Sequence, residues 1–203
     1  MIKNIAVYCS SSDVLSSQYF TAAKETGTAI GANMYSLVYG GGNTGLMGSV
    51  AEYTQKANGT VVAVIPKAME VLGLAYSTAE ELIVTSDMYE RKKIMSDRAD
   101  AFITLAGGFG TLEEVLEVIT QKQLHLHSKP IVFVNTNKFY DKLIEMFEVL
   151  FKEKTAKELY RDLYYVTATV EDAFEYIKKY TPPELPTKWF KDTGENIAEA
   201  SPI

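Results

Sequence analysis

The chain has 203 residues, 47% of them hydrophobic, which is enough for one well-buried core and too little for an evident second domain. A net charge of −6 excludes the clustered positive charge that a nucleic-acid polymer requires, but a small anion held by local N–H groups and an arginine stays possible. The single cysteine, Cys9, excludes an intrachain disulfide and a thiolate zinc cluster, and no apolar run is long enough for a signal peptide or a membrane span, so a cytoplasmic protein is expected.

Ile2 to Cys9 is an apolar run that predicts a buried first strand, followed by a polar turn at Ser10-Ser11-Ser12-Asp13 and a helix from Ser17 to Asn33. Ser10 to Ser12 cap that helix, cover a ligand or do both, capping being the commoner role for such residues. Ser36 to Tyr39 predicts a second strand that runs into Gly40-Gly41-Gly42-Asn43-Thr44-Gly45-Leu46-Met47-Gly48. Gly40, Gly42 and Gly45 satisfy G-x-G-x-x-G between strand and helix. A dinucleotide unit, however, needs an acidic residue at the end of the next strand, and here that strand, Thr60 to Ile65, ends in Pro66-Lys67. No Gly-Lys-Ser or Gly-Lys-Thr follows the glycines either. The loop is therefore expected to be a backbone cradle for a monophosphate or part of a nucleotide pocket, with Gly41, Gly42 and Thr44 as candidate contacts.

Pro66 to Glu80 has only a weak helical pattern and is expected to fold over the strand ends as a lid or pocket wall. Glu81 to Thr85 predicts a strand, and Asp87 with Glu90 three residues on predicts a capped helix start. Arg91 and Lys92 then fall near the first turn, where the helix dipole disfavours cations. Arg91 also shares a face with Met88 and Met95, so it points inward, and a buried guanidinium needs an anion. That anion is either an internal glutamate or a bound ligand.

The organising stretch is Asp100 to Thr120. A strand from Ala101 to Ala106 stops at Gly107-Gly108-Phe109-Gly110-Thr111, after which Leu112, Val115, Leu116 and Ile119 recur at helical spacing. A glycine turn opening a helix presents free N–H groups and a positive dipole end to an anion, most often phosphate. Glu113 and Glu114 are expected in the first helical turn beside that site, either simply stabilised by the dipole or acting on the ligand.

Downstream, the pattern predicts a strand at Ile131 to Val134, an amphipathic helix from Tyr140 to Phe151, a strand at Tyr164 to Val166 and a helix from Val170 to Tyr180. His125 and His127 lack a carboxylate or cysteine at ligand spacing and are not expected to bind metal. From Thr181 the proline content predicts an extended tail to Ile203, in which Trp189-Phe190 pack on the body or a partner subunit or stay loose. The alternation of strands and helices over residues 1–180 predicts a single-domain α/β fold, a doubly wound parallel sheet with helices on both faces. Ligands bind such sheets at the carboxyl ends of the strands, where both glycine loops, Ser10 to Ser12 and the start of the Arg91 helix all fall.

Met88-x-x-Arg91-Lys92 followed by Gly107-Gly108-Phe109-Gly110-Thr111-Leu112-Glu113-Glu114 resembles the LONELY GUY (LOG) family of nucleoside 5′-monophosphate phosphoribohydrolases, once widely labelled lysine decarboxylases. The likeness runs from Ile2 to about Tyr180 and takes in Gly40 to Gly48, Gln123-Leu124, His127 and Lys129-Pro130. Ala106 stands where the family usually has proline, Ser10 where it often has glycine, and Gly73 where some members have a substrate-contacting glutamate. The resemblance implies a Rossmann-like fold, a homodimer and no metal or organic cofactor. It also implies hydrolysis of the N-glycosidic bond of a purine nucleoside 5′-monophosphate, AMP or a cytokinin-type N6-modified AMP. Arg91 and Glu114 are the implied catalytic pair. Lys92, Gly107, Gly108, Gly110, Thr111 and Thr120 are the implied nucleotide contacts, with Met88, Phe109, Leu112 and Glu113 beside them in the same motifs.

Glu114 is expected to stay ionised at its helix start and to act as stabiliser or base, whereas Arg91, which does not readily give up a proton, is expected to orient the phosphate or polarise the leaving purine. A non-catalytic nucleotide carrier of the same fold is the rival, against which the carboxylate pair weighs, since a carboxylate beside a phosphate weakens plain binding. A pyridoxal-phosphate decarboxylase would need a Schiff-base lysine, and no sequence context singles one out.

Overall fold

Short apolar runs buried on both sides can satisfy their backbone only by pairing with one another, and helical crossovers make that pairing parallel. In the computed structural model, which describes residues 2–185 and residue 187, the strands are β1 (Asn4–Tyr8), β2 (Ser36–Tyr39), β3 (Thr60–Pro66), β4 (Glu81–Thr85), β5 (Ala101–Thr104), β6 (Ile131–Val134) and β7 (Tyr165–Thr167). They form one seven-stranded sheet in the order β4-β3-β2-β1-β5-β6-β7, and every adjacent pair is parallel.

Helices α1 (Ser17–Ala32), α2 (Gly45–Lys56) and α7 (Val170–Lys179) cover one face, over a core that includes Ile5, Val7, Leu37, Ile103 and Val132. On the other face α4 (Met88–Arg98), α5 (Phe109–Gln123) and α6 (Asp141–Lys152) cover Ala6, Val38, Val64, Phe102 and Phe133. The short α3 (Lys67–Glu70) buries nothing. Gly27 in the middle of α1 is explained by the close passage of α2, since a Cβ there would lie 2.4 Å from the Val50 carbonyl oxygen.

β1 pairs with β2 on one side and β5 on the other, so the order of winding reverses there and the connections leave in opposite directions. The crevice this opens at the carboxyl ends of β1 and β5 is where such sheets bind ligands. The doubly wound sheet agrees with the sequence pattern, with strand and helix ends shifted by one to a few residues. Two 3-10 segments, Thr136–Lys138 and Glu158–Leu163, were not foreseen. The first turns about Asn135, whose side chain accepts from the Tyr140 N–H at 2.7 Å and donates to Asp141 at 2.7 Å, a local competition that apolar periodicity does not register. Trp189-Phe190 and the rest of the expected tail beyond residue 187 lie outside the described residues.

Candidate active site

The β1/β5 ladder continues past the strands, with Leu105 N–H donating to Tyr8 O at 2.9 Å and Ser10 N–H to Ala106 O at 3.1 Å. What Ala106 contributes is its carbonyl, which proline would supply equally, so the departure from the family pattern leaves this contact of the turn intact. The chain then turns through Gly107, where a Cβ would lie 2.1 Å from Thr111 Oγ1. Helix α5 starts at Phe109 with Gly108 as its cap residue, and no side chain caps it. A Cβ on Gly108 or Gly110 would meet nothing within 4 Å. The first-turn N–H groups, which have no intrahelical partner, therefore open on free space in an anion-binding arrangement.

The other glycine loop behaves differently. At the start of α2, Gly45 N–H donates to Asp13 Oδ1 at 2.7 Å, and Leu46 and Met47 N–H both donate to Ser10 O, at 2.9 and 3.3 Å. The N–H groups of this helix start are therefore already engaged from within the chain. The Ser10 to Asp13 turn caps α2, not α1, whose cap residue Ser16 makes no side-chain bond. Gly42 and Thr44 still line the cleft, whereas Gly41, with φ of 75°, packs beneath it on Ile65.

Helix α4 begins as expected: Asp87 accepts from Glu90 N–H at 2.8 Å, and Glu90 reaches back to Ser86 N–H at 2.7 Å. One turn on, Arg91 is buried beside Met95. Its Nη1 donates to Glu114 Oε1 at 2.8 Å and its Nε to Val64 O at 3.1 Å, while Nη2 occupies the space over Gly40 that a Cβ would fill, at 1.7 Å. The internal glutamate is thus one partner of Arg91, which also lines the cleft.

Glu114 lies in the second turn of α5, three residues later in the helix than expected, because the helix starts before the apolar periodicity does. The dipole acts on the first turn only, so it does not keep this carboxylate ionised. Burial raises the Glu114 pKa, while the Arg91 charge and hydrogen bond pull against that rise. The arginine thus takes the part expected of the helix end.

These elements enclose a cleft of roughly 500 Å3 whose lining includes Arg91, Glu114, Glu113, Met88, Gly42, Thr44, Gly108, Phe109, Gly110 and Thr111. Five expected contacts fall outside that lining. Lys92 turns to the flank between α4 and α5, where it pairs with Glu113 and, at 2.8 Å, with Glu117. Thr120 is exposed farther along α5 and donates to Leu116 O at 2.8 Å. Leu112 packs against the core, and Gly41 and Gly107 sit under the loops. Met69 and Leu74 join the lining from Pro66 to Glu80, the segment expected to form a lid or pocket wall, and Cys9 and Ile65 join it unannounced. Cys9 is a buried thiol whose pKa burial pushes well up, so it is protonated.

His127 and Lys129 hold the far end of this layer. The His127 ring nitrogen Nε2 is 2.9 Å from Val118 O, and burial lowers its pKa to about 4, while Lys129 Nζ donates to Ser96 O at 2.8 Å. Among the described residues no three metal-ligating side chains gather, and no helix is long and apolar enough to cross a membrane.

A family profile described as "Possible lysine decarboxylase" matches residues 47–177. The relative named "Probable cytokinin riboside 5′-monophosphate phosphoribohydrolase LOG6" of Arabidopsis thaliana is 37% identical over 180 residues, covering 89% of this chain and 90% of its own. The chain belongs to the LONELY GUY family. A second LONELY GUY relative from the same plant, named cytokinin riboside 5′-monophosphate phosphoribohydrolase LOG7, is 34% identical, with 97% of this chain and 91% of its own covered. Among solved structures, the molybdenum cofactor carrier protein of Chlamydomonas reinhardtii superposes with a TM-score of 0.68 at 21% identity, covering 88% of this chain and 98% of its own. The molybdenum cofactor binding protein of Rippkaea orientalis gives 0.68 at 20%, with 88% and 96% covered. These two share the fold of this LONELY GUY chain.

Proposed function

We propose that the cleft binds a purine nucleoside 5′-monophosphate, AMP or an N6-modified AMP of the cytokinin type, and hydrolyses its N-glycosidic bond to free base and ribose 5-phosphate. The observation that carries this reading is the meeting, in one cleft, of a helix start without a side-chain cap and a buried Arg91–Glu114 pair. The names of the relatives support the same reaction.

The 5′-phosphate sits on the N–H groups at the start of α5. Breaking the bond builds positive charge on the ribose ring and negative charge on the departing base, which preorganised charges in a dry site can stabilise. Glu114, whose carboxylate form Arg91 favours against the effect of burial, stabilises the cationic ring or takes a proton from the water that attacks the anomeric carbon. The hydroxyl of that water ends on the sugar and the other proton on the base. Arg91 takes no part in the proton transfers and holds the carboxylate in place through its Nη1 hydrogen bond.

The reading extends to a two-copy assembly, supported by the exposed Tyr89, Phe109 and Leu116 on α4 and α5, and to a cytoplasmic setting, supported by the single buried thiol.

With no added cofactor, AMP should yield ribose 5-phosphate, and adenosine, which offers the helix start no anion, should be cleaved at least about 100-fold less efficiently, in line with the loss of a charge-assisted contact set. Chromatography of both reactions checks this. Equal turnover of AMP and adenosine would remove the phosphate seat.

A further inference from the structure

We propose that the base end of the cleft, resting on the nucleotide reading above, holds the purine by apolar contact and leaves the hydrogen-bonding group at its 6-position unread. Purine 5′-monophosphates carrying 6-amino, 6-oxo or alkylated N6 groups are then all substrates, and Met69 and Leu74 set the preference among them.

The phosphate seat and the Arg91–Glu114 pair belong to α5 and α4, so the base is assigned to the remaining apolar lining. Its wall comes from the segment after β3. Helix α3 contributes Met69, and Leu74 is carried over the cleft by a second anchor: Asn43 N–H donates to Leu74 O at 3.0 Å, Asn43 Nδ2 to Gly73 O at 3.1 Å, and Tyr76 N–H to Gly41 O at 2.9 Å. The bonds that pin the segment also engage its polar backbone. The carbonyls of Gly41, Gly73 and Leu74 are taken by them, and that of Gly42 accepts the Tyr39 hydroxyl at 3.2 Å. The Thr44 hydroxyl is likewise engaged, donating to Ser11 O at 2.9 Å. The charged side chains of α3, Lys67 and Glu70, bond to each other at 2.7 Å and are absent from the lining.

What faces the base is thioether and aliphatic carbon. Met69 and Leu74 are 41% and 40% exposed, so the wall is open at its rim and an alkyl group on N6 has a path outward along it. An apolar wall sorts ligands by size, at about 10–200-fold per methylene, whereas a wall built to hydrogen-bond a polar group rejects the analogue lacking it by about 10^4–10^5.

The test is kcat/KM of the full-length protein for AMP, IMP and N6-isopentenyl-AMP. The three values are expected to lie within about 100-fold of one another. Rejection of IMP by more than about 10^4 relative to AMP would overturn the proposal, because it would reveal a polar group reading the 6-position. Leu74→Glu, which installs an acceptor on the wall, should raise the AMP-to-IMP ratio at least about tenfold, and Met69→Ala should lower the N6-isopentenyl-AMP-to-AMP ratio by about tenfold. A merely structural role for these two side chains would move all three substrates together and leave the ratios unchanged, which also counts against the proposal. If none of the nucleotides is cleaved, the hydrolase reading has failed by itself. The same ratios are then read as affinities by calorimetry, and they decide the base-wall proposal independently.

Discussion

Glu114→Gln should turn AMP over at least about 100-fold more slowly than the wild type while binding it as well or better. The magnitude follows from comparable electrostatic groups in preorganised sites, where removal of one costs about 10^2–10^3 in rate. The amide keeps the size of the side chain, and its oxygen can still accept from Arg91 Nη1, which donates to Oε1 at 2.8 Å. What disappears is the charge that faces the developing sugar cation. Loss of a negative charge near the phosphate costs no affinity, so calorimetry and single-turnover assays should separate sharply. A wild-type rate in this variant would demote Glu114 to a packing role and move the chemistry to Glu113, which lines the same cleft but is tied to Lys92.

Arg91→Ala should be the more disruptive substitution, and its signature should depend on pH. Taking one partner from a buried pair leaves the other uncompensated, a change that costs about 3–5 kcal/mol when the remaining group stays charged. The carboxyl can avoid much of that by holding its proton. Burial already raises the Glu114 pKa above the ordinary 4.5, and the loss of Arg91, the largest opposing influence, raises it further. Between 4.5 and the new value the native state then binds more protons than the unfolded chain, so the variant is most stable at acid pH and loses stability as pH rises through the folded pKa. The same shift should move the acid limb of the rate profile upward, so activity falls on the acid side, where less of the carboxylate is ionised. Arg91→Lys should restore the charge but not the fork that reaches both Glu114 and Val64 O. Thermal melts and rate profiles across pH check this, and an unmoved acid limb would mean that Arg91 does not set the state of Glu114.

The parallel sheet was legible because β1, β2, β3, β5 and β6 are apolar almost without interruption, as strands buried on both faces must be. The start of α4 was legible for a local reason, since Asp87 and Glu90 carry their capping chemistry three residues apart. The start of α5 was not. Gly108 and Gly110 are poor helix formers with no apolar side chain, so periodicity begins only at Leu112 although the helix begins at Phe109.

Other differences came from contacts distant in sequence. The anion-binding potential of α2 is cancelled by Asp13, 32 residues away, and Lys92 is drawn from the cleft by two glutamates one turn apart on another helix. The wall role of Pro66 to Glu80 was expected from the sequence, but its anchorage to Asn43 and Gly41, which places Met69 and Leu74 in the lining, was not. Arg91 was placed correctly on the inner face, yet no spacing rule could choose between ligand and glutamate as its partner.

The most direct measurement is product accounting over many turnovers. The purified protein is incubated with excess AMP, without added cofactor, and adenine, ribose 5-phosphate and remaining nucleotide are quantified together. Equal amounts of adenine and ribose 5-phosphate, many equivalents per chain, are the expected result. Intact AMP after prolonged incubation, with at most one equivalent bound per chain, would contradict it and leave a carrier.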